Sequence, residues 1–322
     1  MTLETESLQR LAFSYLYLGH ARIGDCFMDG TARRVQALPA HPTLRAELDA
    51  LKSACGSARP GARTFRLESG GVSYRVRVMQ TPDGPIYVLR RLDPTLASLA
   101  GLGLPGAFVR RLLRADLDGL VVICGAAKSG KTRTAGALVR DRLTLHGGIA
   151  MTIEEPIDAA PGGAYGDGVC IPTLTSADRQ EDLRAALGCG ARVIFVGNLD
   201  DPALLIDVLL AAREGHLIVS TVLADDVGRA IARLHTVAAR VLDAPSVRSL
   251  LADSVAAVLH QRFACPAPGQ QRFEARLLML ADSAPARAQV RDGRYDELGA
   301  ALRQQMMSMI ASDALASLRG GG

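Results

Sequence analysis

Gly125-Ala126-Ala127-Lys128-Ser129-Gly130-Lys131-Thr132 has the spacing G-x-x-x-x-G-K-T of a phosphate-binding loop. Its glycines let backbone N–H groups turn inward around phosphates. Lys131 would reach the β- and γ-phosphates, and the Thr132 hydroxyl would sit on Mg²⁺. Two of the chain's three lysines, Lys128 and Lys131, lie in this loop. ATP is the expected ligand, with Gly125, Ala127, Lys128, Ser129, Gly130, Lys131, Thr132 and Arg133 as its contacts. Leu120-Val121-Val122-Ile123-Cys124 before the loop reads as a buried strand, and helix-compatible spacing continues from Ala135. A strand running through a glycine loop into a helix aims the positive end of the helix dipole at the phosphates. The plainer reading is a glycine turn between strand and helix.

Three further segments carry groups that could act on a bound nucleotide. Thr152-Ile153-Glu154-Glu155-Pro156-Ile157-Asp158 places carboxylates at the C-terminal end of an expected strand, facing the crevice where α/β sheets bind ligands. Glu154 and Glu155 could hold Mg²⁺ through water or orient an attacking water. They could also be a charged turn before a proline. Arg192-Val193-Ile194-Phe195-Val196-Gly197-Asn198-Leu199-Asp200-Asp201 is a second apolar run entering a polar turn. The acid a P-loop ATPase needs there is missing at Asn198 and appears only at Asp200 and Asp201. Gly215-His216-Leu217 sets a histidine just before another buried run. Taken alone, His216 reads first as a hydrogen-bonded core residue.

The elements that must position these groups follow from periodicity. Residues 7–19 and 43–55 have helical spacing. Thr64–Glu68, Val72–Val78 and Ile86–Arg90 alternate as three strands, with turns at Ser69-Gly70-Gly71 and Thr81–Pro85. Arg75 and Arg77 share one face of the middle strand, opposite Tyr74, Val76 and Val78, and Arg90 follows in the next. The expected organisation is a small α+β domain over 1–93, a linker over 94–106, an α/β core over 107–262, and a mostly helical region over 263–322. The core strands fall near 119–124, 149–153, 192–196 and 217–221. Helix is expected over Val247–Phe263 and Leu298–Ala316.

Composition sets outer limits. The chain has 322 residues, 48% hydrophobic and 22% charged, ordinary for a globular protein with room for two domains. A net charge of +4 without a long basic run, and 4% aromatics without Trp, give no case for nucleic acid. No apolar stretch reaches the roughly 18 residues that span a bilayer. The N-terminus lacks a signal peptide's basic start and apolar core. Six scattered cysteines without a C-x-x-C pair read as reduced thiols, and the expected location is cytoplasmic.

In order, the loop, the carboxylate box, the 192–201 box and the histidine box resemble the secretion ATPase superfamily of type II secretion, type IV pili and type IV secretion. The pilus-retraction ATPases are the nearest branch. The resemblance covers roughly residues 64–263. It implies a PAS-like N-terminal domain on a RecA-like P-loop core, assembled as a homo-oligomeric, hexameric ring. That ring would be peripheral at the inner membrane and would engage a platform protein of a pilus or secretion system, or a paralogous ATPase. The resemblance also implies that Glu154, Glu155, the residue at Asn198, His216, Arg77 and Arg90 serve hydrolysis, and that Thr132 and Glu154 hold Mg²⁺. Two positions depart from it. Asn198 replaces the glutamate of a Walker B box, and Leu223 stands where the second histidine falls. Asn keeps size and hydrogen bonding but cannot accept a proton. A motor ATPase weakened in hydrolysis is therefore expected, with a nucleotide-binding regulatory paralogue or a P-loop kinase as alternatives.

Overall fold

The computed structural model describes residues 7–29, 34–58, 63–92, 96–154, 162–173, 175–176, 178–267 and 270–319. They fall into two compact units that divide between residues 95 and 96.

The first unit is a sheet with one helix. Strands β1 (Tyr15–Leu18), β2 (Cys26–Met28) and β3 (Val35–Ala37) precede helix α1 (Pro42–Ser57). Strands β4 (Thr64–Ser69), β5 (Val72–Thr81) and β6 (Gly84–Arg91) follow. All pairs are antiparallel, in the order β3-β2-β1-β6-β5-β4. Helix α1 opens on Pro42, whose fixed φ suits a first helical turn. It buries Leu44, Leu48, Leu51 and Cys55 on one stripe, against Leu16, Leu18, Phe65, Tyr74, Val76 and Leu89 of the sheet. This is the small α+β, PAS-like unit. The helical spacing read over 7–19 is corrected here: Tyr15–Leu18 is a strand between β2 and β6. Leu16 and Leu18 are fully buried while Tyr15 and Tyr17 are not, a period of two. Such a short apolar run satisfies either period.

The second unit is a doubly covered, mostly parallel sheet. After helix α2 (Gly106–Leu112) come β7 (Gly119–Gly125), α3 (Lys131–His146), β8 (Gly148–Ile153), β9 (Gly163–Tyr165), β10 (Gly168–Thr173), α4 (Arg179–Gly188), β11 (Val193–Val196), α5 (Pro202–Arg213), β12 (Leu217–Leu223), α6 (Val227–Ala238) and α7 (Ala244–Ser254). A hairpin, β13 (Val255–Ala267) and β14 (Gln270–Met279), then leads to α8 (Ala284–Arg291), a short 3₁₀ turn and α9 (Leu298–Arg319). The strand order is β14-β13-β7-β12-β11-β8-β10-β9. The six central strands are parallel, with antiparallel β14 and β9 at the edges. Every residue of β7 is buried, as both faces are covered. Leu138, Val139 and Leu143 of α3 pack on one face, and Leu205, Ile231 and Leu251 of α5, α6 and α7 on the other. One strand, β12, separates the loop strand from β11. The fold is a RecA-like P-loop core.

Two readings of this unit are corrected. Helix stops at Ser254, not Phe263, and Val255–Ala267 enters the sheet beside β7. The run Val255–Leu259 is apolar on both faces and carries no period to tell strand from helix. The expected boundary at 262/263 therefore falls inside β13. The expected linker, in its described part, is packed: Leu99 and Leu104 are buried, and the Leu99 N–H donates to Asp141 Oδ2 at 2.7 Å. Among the described residues, no helix is long and apolar enough to cross a membrane.

Candidate nucleotide-binding site

The loop Gly125–Thr132 joins the C-terminal end of β7 to the N-terminus of α3. Gly130 caps α3 at φ +83°, in the left-handed region that a glycine adopts without strain. No acidic side chain occupies the first turn of α3, so the helix itself offers no competitor to an anion at its free N–H groups. Lys128 also has positive φ, +64°. Lys131 folds back on the loop, its Nζ donating to the Ala126 carbonyl at 2.7 Å. Desolvation lowers the Lys131 pKa below the usual lysine value. An anion in the loop would favour the charged form of this lysine. Cys124, directly before the loop, is no nucleophile: burial pushes its thiol up to about 12.

The loop is braced from β13 by a residue that sequence reasoning missed. Gln261 is 1% exposed, and its Nε2 donates to the Ser129 carbonyl at 2.5 Å. A Cβ on Gly125 would lie 2.2 Å from the Gln261 carbonyl oxygen, so only glycine fits at 125. The available signal was a glutamine and a histidine, His260, interrupting an apolar run. Reading that run as helix concealed that Gln261 faces the loop.

Glu154 and the 192–201 box come together at the ends of neighbouring strands. Parallel pairing sets Ile153 beside Val196, so Glu154 and Gly197 leave their strands together. The Gly197 N–H donates to the Ile153 carbonyl at 2.9 Å. A Cβ on Gly197 would come within 2.8 Å of Glu154 Cγ, so this glycine makes room for a carboxylate that is itself buried. Glu155 lies outside the described residues. Asn198 is exposed, with φ +42°. Arg179 donates to the carbonyls of Gly197 and, at 3.1 Å, of Asn198. The two nearby acids have other work. Asp201 caps α5 by accepting from the Ala203 and Leu204 N–H groups at 2.8 and 3.0 Å. Asp200 accepts from Arg233 Nη2 at 2.8 Å, which holds its carboxyl below the usual carboxylate range.

His216 is a correction. Leu217 pairs with Gly119 and Leu223 with Gly125, so β12 runs alongside β7 in the same direction. His216 therefore sits at the N-terminal edge of the sheet, roughly 20 Å from the loop at about 3.3 Å per residue. Its Nδ1 lies 3.3 Å from the Ala211 carbonyl oxygen. Within this chain it cannot touch a nucleotide in the loop. Leu223, not a histidine, closes the loop end of β12, and it is half-exposed.

The arginines lie in the first unit, not in the unit that holds the loop. Arg75 pairs across strands with both Arg66 and Arg90, forming one row, and Arg77 stands two residues on along the same face. Tyr74 and Val76 are buried on the other face.

A family model described as type II/IV secretion system protein matches residues 57–311. The chain belongs to this family. The twitching motility protein of Neisseria gonorrhoeae is 27% identical over 244 residues, covering 74% of this chain and 63% of that protein. Type II secretion system protein E of Klebsiella pneumoniae is 30% identical over 218 residues, 66% of this chain and 42% of that one. The chain thus spans less than two thirds of the length of these relatives. The crystal structure of the pilus retraction motor PilT with bound ADP superposes with a TM-score of 0.76 at 21% identity, covering 92% of this chain and 87% of that one. The shared fold extends over both units of this secretion-family chain. The family match includes the loop, Glu154, the Asn198 turn and Gln261.

Proposed function

We propose that this secretion-family chain binds ATP with Mg²⁺ in the Gly125–Thr132 loop and works as a motor ATPase that powers pilus assembly or retraction, or secretion. It would act from the cytoplasmic side as a peripheral subunit at the inner membrane, in a hexameric ring on a platform protein. The observation that carries the reading is the braced loop: Gly125 against the Gln261 backbone, Gly130 capping α3, and a partly desolvated Lys131 folded onto the Ala126 carbonyl. The relatives' names, a twitching motility protein and a type II secretion system protein E, support the choice of machine. The PilT structure with ADP supports the choice of ligand.

The chain's own residues divide the work. Backbone N–H groups of the loop and the start of α3 would hold the phosphates, and Lys131 would leave the Ala126 carbonyl to reach them. The Thr132 hydroxyl and the Glu154 carboxylate offer the hard oxygen donors that Mg²⁺ takes, and that ion would neutralise phosphate charge. Glu154 is also the acid left to orient water, since Asn198 cannot take a proton. Arg77 and Arg90 would complete a neighbour's site in the ring.

Asn198 itself favours a second reading, a nucleotide-binding regulatory subunit that co-assembles with an active paralogous ATPase. Steady-state ATP turnover, beside nucleotide titration of the natural chain and of Lys131→Ala, tests both. Saturable binding that needs Lys131 with measurable turnover supports the motor, and the same binding without turnover supports the regulatory subunit. Binding that is indifferent to Lys131 defeats both.

A further inference from the structure

We infer that Phe263 is the platform on which the base of the bound nucleotide stacks, an inference that rests on the nucleotide-binding reading of the loop. Sheet order gives the nucleotide its direction. On one side of β7 lie β12, β11 and β8, and on the other β13 and β14. Glu154 and the Asn198 turn close the ends of β8 and β11. The terminal phosphate, where water attacks, faces that side. The nucleoside end is then directed the opposite way, over β13.

Phe263 stands there. It follows the loop-bracing Gln261 by two residues and so shares its face of the strand. A Cβ on Gly130 would lie 3.4 Å from Gln261 Nε2 and 3.8 Å from Phe263 Cε2, so the ring borders the last glycine of the loop. Phe273, its cross-strand partner, supports it with ring centroids 5.6 Å apart and planes tilted by 58°. Phe263 is nevertheless 47% exposed. Among the described residues it is the one exposed aromatic of the second unit. Phe108 and Phe195 are buried, and Tyr165, Phe273 and Tyr295 are partly so. In a unit this poor in aromatics, the ring left open to solvent is the one beside the phosphate loop. A stacked base would cover it. Every base has a π-face, so the platform adds affinity for a nucleoside without choosing between adenine and guanine.

The chain has no Trp, so Phe263→Trp introduces a single indole reporter. ATP and GTP are expected to change its emission, whereas inorganic tripolyphosphate, which fills only the loop, leaves it unchanged. In the full chain, Phe263→Ala should weaken ATP and GTP binding about 5- to 100-fold, the range of base–aromatic stacking. Tripolyphosphate affinity should hold, and Phe263→Tyr should bind ATP like the natural chain. Unchanged ATP affinity in Phe263→Ala overturns the platform. So does an equal loss for ATP and tripolyphosphate, which would make the ring a support of the loop only. A natural chain that binds neither ATP nor tripolyphosphate would show instead that the loop reading has failed, and the platform falls with it.

Discussion

Asn198 joins an amide where hydrolysis calls for a carboxylate to a backbone in the left-handed region, φ +42°. Asn tolerates that conformation better than Glu does. Asn198→Glu should therefore have two effects of different kinds. A general base contributes about 10²–10⁴ in rate, so steady-state turnover should rise toward that range. Left-handed backbone costs a longer side chain about 1–2 kcal/mol, so the denaturation midpoint should fall. Asn198→Gly separates the two, keeping stability and gaining no rate. An unaltered rate in Asn198→Glu would move attention to Asp200 once it is freed from Arg233. Lys131 is the second test at this scale. Its hydrogen bond goes to the loop's own Ala126 carbonyl, and a bond of that kind contributes only about 1 kcal/mol net. Lys131→Ala should thus keep its melting temperature within a few degrees and lose fluorescent-nucleotide binding. Micromolar binding by that variant would defeat the loop assignment.

Gln261 shows how an element imposed by tertiary structure shapes the site. Its amide is buried against the Ser129 carbonyl, and its own carbonyl blocks any side chain at Gly125. Gln261→Leu removes the donor and strands a buried acceptor, at a cost of about 1–3 kcal/mol. The melting temperature and the nucleotide affinity should fall together. A loss of stability with affinity intact would mean that β13 supports the fold but not the loop. The strands β7, β8, β11 and β12 were legible because each is a short apolar run bounded by turns, and the loop because its spacing is specific. Strand β13 was not. Val255–Leu259 is buried on both faces, and its partner β7 lies more than a hundred residues earlier. Nothing local signals that pairing. His216 lies away from the loop for another reason: in a parallel sheet, a residue before one strand lies at the edge opposite a loop that follows its neighbour. In the first unit, β5 and β6 were legible from alternation and β1 was too short to show it.

For the whole molecule, the question is what an arginine-bearing sheet does in a chain whose phosphate loop belongs to a different unit. Arg66, Arg75 and Arg90 stand opposite one another across β4, β5 and β6, with Arg77 beside them. Like charges set directly opposite across strands are destabilising by a few tenths of a kcal/mol or more. Arg66 is paired with Glu68 in the same sheet, and the row as a whole offers positive charge that an anion could meet. An arginine near the γ-phosphate stabilises the charge that develops in transfer, and such a contact can be worth about 10³–10⁵ in rate. If copies of the chain complete one another's sites in a ring, two results follow. A non-hydrolysable ATP analogue should promote oligomers, seen by sedimentation at micromolar protein. Arg77→Ala should lower turnover far more than nucleotide affinity. Arg77 is the informative choice because it is exposed in mid-strand, where alanine costs the sheet little. Arg66→Ala, whose guanidinium contacts Glu68 at 3.3 Å and Ser73 at 3.0 Å within its own sheet, serves as the control and should leave turnover near that of the natural chain. A strict monomer with the analogue bound, together with unchanged turnover in Arg77→Ala, would remove the ring and leave each loop to work with the residues of its own unit.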